Sequence, residues 1–375
     1  MRFSKFLVFL MVSLVILSEF AVFRLVPFVE ANPSWLTGWS YRKSHVINYA
    51  SGAGTNYQIK VTAHYGSGTD SGGDVYLNSH CRTDFGDVRF TDDDGTTLLD
   101  YWMESKTNSD NAVFWVEVAD DLSTVNATIY IYYGKSDATT TSNGETTFPF
   151  FDDMDNYNIG DSLNSSKWTT EGLDETNTVT IQADPADDSK KCIRLVESDD
   201  GVYTSMYALM DAKYLGLAFH CRVYIITYGS RNDAQWKEDA TLIAVNSRAL
   251  STYTWKWHDG SSYQPFSPDL TIALNTWQDE IFKFVDTGKS YMHLVAGGTD
   301  GTGGFYGTPT NGPNKLQFTQ HKLAAATMYI GGLGTNNRFI FARKLVTPEP
   351  SHGSWGSEEV PTGIASKRLL VGVGL

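Results

Sequence analysis

The chain has 375 residues, 41% hydrophobic and 19% charged, with 29 Lys+Arg against 43 Asp+Glu for a formal net charge of −14. That much apolar matter builds a sizeable core and excludes a disordered or collagen-like chain. So acidic a surface repels phosphate backbones, which excludes sequence-independent nucleic-acid binding and leaves calcium or other cations, and neutral glycans, as compatible partners. Length sets the expectation of two domains or one large β domain with extras, and the wealth of aromatics (10 Trp, 20 Tyr and 20 Phe) favours strands over helices.

Arg2 and Lys5 precede Phe6–Leu17, apolar throughout except for Ser13, and Val29-Glu30-Ala31 offers small residues at both cleavage positions. This is the order of a secretory signal peptide, residues 1–31. Left uncut, Phe6–Val29 has the length of a bilayer but carries Glu19 and Arg24, so an uncleaved signal is the one expected route to a membrane. Leu369–Leu375 is too short to cross. The expected address is outside the cell, secreted or at its surface. Cys81, Cys192 and Cys221 make a sparse disulfide framework, and the spacing leaves open a Cys192–Cys221 pair or three buried thiols. Asn126-Ala-Thr128 and Asn164-Ser-Ser166 are glycosylation acceptors if the chain is exported.

From Trp39 onward apolar residues recur every second position, which predicts strands at Tyr41–Tyr49, Tyr57–Tyr65, Val88–Thr91, Ala112–Val118 and Ala127–Tyr133. Thr91–Thr96 holds an Asp-Gly turn and reads as a hairpin connection. Residues 134–147 are almost devoid of apolar side chains and read as a loop or linker. Further strands are expected at Val179–Ala183, Lys191–Glu197, Leu217–Tyr228, Ala240–Val245, Tyr253–His258, Glu280–Val285, Ser290–Ala296, Lys315–Phe318 and Met328–Gly331. Gly297–Gly304 precedes no helix and reads as a flexible loop, and residues 347–363 as a Pro- and Gly-rich closing tail. No segment carries a helical stripe. The fold class is all-β, with two β-sandwich domains at 32–147 and 148–359 and a tail at 360–375.

The ordered motifs Trp39-Ser-Tyr-Arg-Lys43, Asp87-Val-Arg-Phe-Thr-Asp92 with Gly95, Tyr101-Trp-Met-Glu104, Trp115-Val-Glu-Val118 and Ile129-Tyr-Ile-Tyr-Tyr-Gly-Lys135 resemble an extracellular archaeal and bacterial family known only as domain of unknown function 2341, over Trp39–Ala138. Phe151–Asp155, Lys167-Trp168, Arg343–Pro350 and Gly356–Glu359 resemble the concanavalin-like jelly roll that trails that family. The resemblance implies secreted or cell-surface proteins and supplies no catalytic residues. It also implies a structural calcium at the acidic run Asp152, Asp153 and Asp155, through the oxygen ligands that hard cations prefer.

The most suggestive ligand motif is Tyr253-Thr-Trp255-Lys-Trp257-His-Asp259. Period two puts Tyr253, Trp255 and Trp257 on one face, a flat aromatic ridge of the kind that stacks on a pyranose, with Trp236 and Tyr263 near in sequence. The same ridge equally fits the space between two sheets. Asp92-Asp93-Asp94 is a second acidic cluster without EF-hand spacing. His220, Arg222 and Tyr224 alternate on one strand, in a pattern that a polysaccharide lyase would use. His80-Cys81 is adjacent in sequence, and neighbours on an extended chain point apart. No paired-carboxylate strand motif, His-x-x-x-His, Cys-x-x-Cys or Gly-x-Ser-x-Gly is present. The expected function is non-catalytic recognition of glycans or cell-envelope components. A secreted polysaccharide-active enzyme and a structural envelope subunit are the alternatives.

Overall fold

The computed structural model describes residues 34–198, 203–227, 231–249, 254–285, 289–294, 299–304, 307, 310–321, 326–332 and 339–361. The expected signal peptide, Tyr253 and the segment 362–375 lie outside them. The all-β expectation holds: the described residues form twenty-four strands and one short helix. No described helix is long and apolar enough to cross a membrane.

Two four-stranded sheets make the first sandwich. One holds β1 (Tyr41–Asn48), β4 (Arg89–Thr91) and β7 (Ala127–Tyr133). The other holds β2 (Tyr57–His64), β3 (Asp74–Tyr76), β5 (Tyr101–Thr107) and β6 (Asn111–Val118). Alternation builds its core, with Ile59, Val61 and Ala63 of β2 meeting Ile129, Ile131 and Tyr133 of β7 and Phe114 and Val116 of β6. The Asp-Gly turn forms as expected, closed by Asp92 N–H on Thr97 O at 2.9 Å. Its flanking strands nevertheless enter opposite sheets, β4 on β7 and β5 on β6, so it is a sheet-to-sheet crossing.

The fourth strand of the first sheet is a correction. Ser351–Trp355, assigned by sequence to the tail of the second domain, forms β24 and pairs antiparallel with β1. Glu358 accepts from Tyr133 Oη at 2.7 Å and from His80 Nδ1 at 3.0 Å, and Glu359 takes Arg42 Nε at 2.8 Å. The second sandwich is therefore an insertion between β7 and β24. Ser-His-Gly-Ser-Trp is too polar for a strand signal, and only an edge partner makes it one.

Residues 134–143 are irregular as expected, but 144–147 form a short helix and the segment is tied down. Arg89 donates to Thr139 O, Ser142 Oγ accepts from Met103 N–H at 2.7 Å, and Asn143 caps the helix α1 (Gly144–Thr147). The segment is strapped to the first sandwich by its many short polar side chains.

Two larger sheets face each other in the second sandwich. The inner sheet runs β10 (Thr178–Asp184), β11 (Asp187–Glu197), β22 (Ala326–Gly331), β13 (Leu217–Thr227), β18 (Gln278–Val285), β19 (Lys289–Leu294) and β20 (Thr299–Gly304), with β8 (Phe150–Asp152) and β23 (Ile340–Lys344) attached at β13. The outer sheet runs β17 (Tyr263–Pro265), β16 (Thr254–His258), β15 (Thr241–Ala249), β14 (Arg231–Glu238), β21 (Lys315–His321), β12 (Thr204–Leu209) and β9 (Trp168–Glu171). Gly301, Gly303 and Gly304, expected in a flexible loop, sit in strand β20. A Cβ on Gly303 or Gly304 would lie 2.7 Å from the Trp257 ring, so these two glycines form the surface against which the indole packs.

An aromatic seam joins the sandwiches. Trp102 and Trp115, paired across β5 and β6, meet Phe148, Phe151 and Phe341 in one buried cluster. Trp102 lies 4.3 Å from Phe339 edge-on, and His220 stacks on Phe341 at 4.3 Å. Such pairs add about 0.5–1.5 kcal/mol each beyond area burial. Beside them Arg343 grips Glu349 at 2.5 and 3.1 Å, and Glu349 also accepts from Tyr57 Oη at 2.9 Å. Part of the outward side of the inner sheet is thereby covered by the first sandwich. None of the three cysteines is bridged, and all are buried. Burial pushes the Cys81 thiol up to about 12, which leaves it protonated and unreactive.

Candidate functional site

Strand β16 has the expected period, but its aromatic face points inward. Trp255 is 0% exposed and packs edge-on to Phe282 at 5.8 Å, and Trp236 is likewise 0% exposed in the same core. Neither indole reaches a sugar, which corrects their assignment as ligand contacts. Period two groups residues by face and does not say which face meets water. Trp257 is half-buried against Gly303 and Gly304, with its Nε1 donating to Pro265 O at 3.0 Å. Tyr263 stands on the other face, at the sheet edge, 4.6 Å from His258.

That outward face of the outer sheet carries the candidate site. On β14 the sequence Asp233-Ala-Gln235-Trp-Lys237 alternates strictly, and on β21 Lys315-Leu-Gln317-Phe-Thr319 does the same. Ala234, Trp236, Leu316 and Phe318 enter the core, so Asp233, Gln235, Lys237, Lys315, Gln317 and Thr319 turn outward. Register then sets them side by side: Asp233 opposite Thr319, Gln235 opposite Gln317, Lys237 opposite Lys315. β12 continues the rows with Ser205 opposite Thr319 and Tyr207 opposite Gln317. Glu171 of β9 closes the edge by accepting from Tyr207 Oη.

The middle of this face is buried. Gln317 is 3% exposed and Thr319 2%, yet among the described residues Gln317 Oε1 and Thr319 Oγ1 have no hydrogen-bond partner. Each such orphan costs on the order of 1–3 kcal/mol unless a ligand or water meets it. Gln235 Nε2 donates to Asp233 Oδ2 at 3.0 Å. Lys237 Nζ lies 5.1 Å from the centre of the Tyr207 ring. Burial raises the Tyr207 phenol above its ordinary value and Glu171 raises it further, while burial lowers the Lys237 ammonium. The face thus offers amide, hydroxyl, phenol and ammonium groups over a short area, several of them desolvated. The sequence signal was the polar alternation itself: Gln, Asp and Thr where an ordinary surface strand carries long charged residues.

The cleft between the sandwiches and the His220–Tyr224 row have their polar groups engaged in the fold. A cleft of about 520 Å³ opens between the sandwiches beside Gly52, Lys213, Tyr214 and Lys344. Its cations are engaged, Lys344 Nζ on Thr55 O at 2.6 Å and Lys213 Nζ on Asp239 at 2.7 Å, and Tyr214 Oη donates to Asp211 at 2.6 Å. His220, Arg222 and Tyr224 do share a face, on the inner sheet. His220 lies in the aromatic seam, Arg222 pairs with Asp279 at 2.8 Å, and Tyr224 meets Trp277. They form no open lyase groove.

Asp152, one of the expected cation ligands, accepts from Trp168 Nε1 at 2.7 Å, Tyr157 Oη at 2.9 Å and Met154 N–H at 3.1 Å. Among the described residues no group of three or more His, Cys, Asp or Glu converges as a metal site. The Asp92–Asp94 cluster caps its own turn: Asp94 accepts from Thr96 and Thr97, and its carboxyl is held at about 2 mainly by the Thr97 hydroxyl. Asn126 and Asn164 are both exposed.

No curated protein matches the chain in sequence. Similar solved structures include a sialidase, 8% identical with a TM-score of 0.40 over 58% of this chain and 20% of its own, so that the chain spans about a fifth of its length. The cellulose-induced protein Cip1 is 10% identical with a TM-score of 0.40 over 52% of this chain and 98% of its own. A truncated AlyQ with CBM32 and alginate lyase domains is 11% identical with a TM-score of 0.32 over 81% and 91%. Residues 84–171, from the approach to β4 across the seam into β9, match the family described as Domain of unknown function (DUF2341).

Proposed function

We propose that this is an extracellular glycan-binding protein whose second sandwich, a concanavalin-like jelly roll, holds a polysaccharide across the outward face of its outer sheet. The observation that carries the reading is the pair of buried, partnerless acceptors Gln317 Oε1 and Thr319 Oγ1 at the centre of that face. Sugar hydroxyls donate as readily as they accept, and a row of amides and hydroxyls at strand spacing suits a chain of them.

One observation favours a catalytic use of the same face: Tyr207 donates to Glu171 and lies near Lys237, a set of proton-carrying groups within one neighbourhood. A polysaccharide panel, with and without calcium, separates the readings when bound protein and newly released chain ends are scored in the same tubes. Binding without release, weakened by Gln317→Ala and by Tyr207→Phe in variants that melt with the parent, supports recognition. Released ends replace it with the enzyme, and unchanged affinity in both variants removes the site.

A further inference from the structure

Lys237 and Lys315 are directly opposed residues of β14 and β21. Their neighbours Trp236 and Leu316 are both in the core, so the two ammonium groups leave the sheet on the same side. At such positions Cβ atoms stand about 5 Å apart and like charges destabilise the pairing. Among the described residues neither lysine forms a salt bridge, although the chain carries 43 acidic residues. Glu171 acts on Lys237 and Asp239 on Lys315 through space, but the acids nearby make their direct contacts with other groups. Glu171 accepts from Tyr207, Asp239 pairs with Lys213 at 2.7 Å, and Glu238 accepts from the backbone N–H groups of Thr310 and Asn311. A third lysine, Lys256 of β16, leaves on the same face, because Trp255 beside it points inward.

We infer that the Lys237–Lys315 pair receives an anionic group of the sugar chain, a carboxylate or a sulfate, so that the site selects acidic over neutral polysaccharides. An anion set between the two turns their repulsion into two charge-assisted contacts. The neighbouring Gln235 and Gln317 then meet hydroxyls of the same or the next sugar. The overall negative charge opposes the encounter, so the selectivity is local and weakens with salt. This inference rests on the glycan reading and goes beyond the expectation from net charge that neutral glycans are compatible partners.

The test titrates the full chain with three sets of probes: polygalacturonate for carboxylates, dextran sulfate for sulfates, and dextran with cello-oligomers as neutral chains. One or both acidic probes should bind, and the better one identifies the anion. Lys237→Gln and Lys315→Gln, which keep most of the aliphatic stem, should each weaken that binding about tenfold. Lys190→Gln, removing an equal charge from β11, should leave it unchanged. Melting curves matching the parent show that the variants fold. If neutral chains bind as well as acidic ones, or if Lys190→Gln weakens binding as much as the other two, the inference falls; neutral binding that Gln317→Ala abolishes then leaves the glycan reading standing. If no probe binds, both fall.

Discussion

Replacing Trp255 by Ala separates a core residue from a sugar platform. The indole is fully buried, lies edge-on to Phe282, and shares its cluster with Phe266, Leu270 and Ile272. Deleting a side chain of this size removes its transfer free energy and leaves a cavity, together about 3–5 kcal/mol. For a sandwich of this size each kcal/mol moves the midpoint by about 2–4 °C, so the variant should melt roughly 6–20 °C below the parent. Thermal unfolding followed by near-ultraviolet circular dichroism reads this directly, with urea titration as a second measure. At a temperature where the variant is still folded, its glycan affinity should equal the parent's. A variant that melts with the parent but no longer binds would refute the inward placement of β16 and restore the aromatic ridge as the ligand surface.

Two further outcomes follow from charges buried in the fold. Burial, reinforced by His352, lowers the His45 imidazole to about 3, whereas in the unfolded chain it takes a proton near 6.5. The unfolded state therefore binds more protons below that pH, and stability should fall as pH drops from about 6.5 toward 3. His45→Gln should flatten that dependence in urea midpoints compared near neutrality and near pH 5, and equal slopes for variant and parent would contradict the assignment. Glu117 behaves in the opposite sense. Burial, then Asp100, raise its carboxyl to about 7, so the folded state loses stability as pH rises from 4.5 through that value. Glu117→Gln should stabilise the protein on the alkaline side by on the order of 1 kcal/mol, after discounting for solvent screening. A loss of stability there would show the carboxylate to be well paired.

Strands with a clean two-residue rhythm were legible in the sequence. Ala127–Tyr133 and Ala112–Val118 alternate β-formers between Asn, Asp and Gly boundaries, and both form the strands expected. Strands whose partner supplies the stability were not: β24 is mostly polar, β20 is half glycine, and β14 carries Asn, Asp, Lys and Glu. The site was missed for a related reason. Aromatic ridges attract the eye, but in a two-layer fold the largest aromatics go where they bury most area, as Trp236 and Trp255 do. Gln317 and Thr319 gave the signal for the candidate site, because amide and hydroxyl acceptors at such depth cost free energy unless something meets them. The orphaned acceptors themselves exist only once register has placed β12, β14 and β21 together.

The return of β24 to β1 also sets a clock on biosynthesis. His45 and Ser354, which face each other across that pairing, are 309 residues apart in the chain. At about 5–20 residues per second, roughly 15–60 s pass between synthesis of the first strand and of the partner that covers its edge. Throughout that interval β1 is an unpaired edge, able to template pairing with another nascent chain. The inserted sandwich, continuous from β8 to β23, can fold first, and the earlier-made of the two sandwiches is the last to be completed.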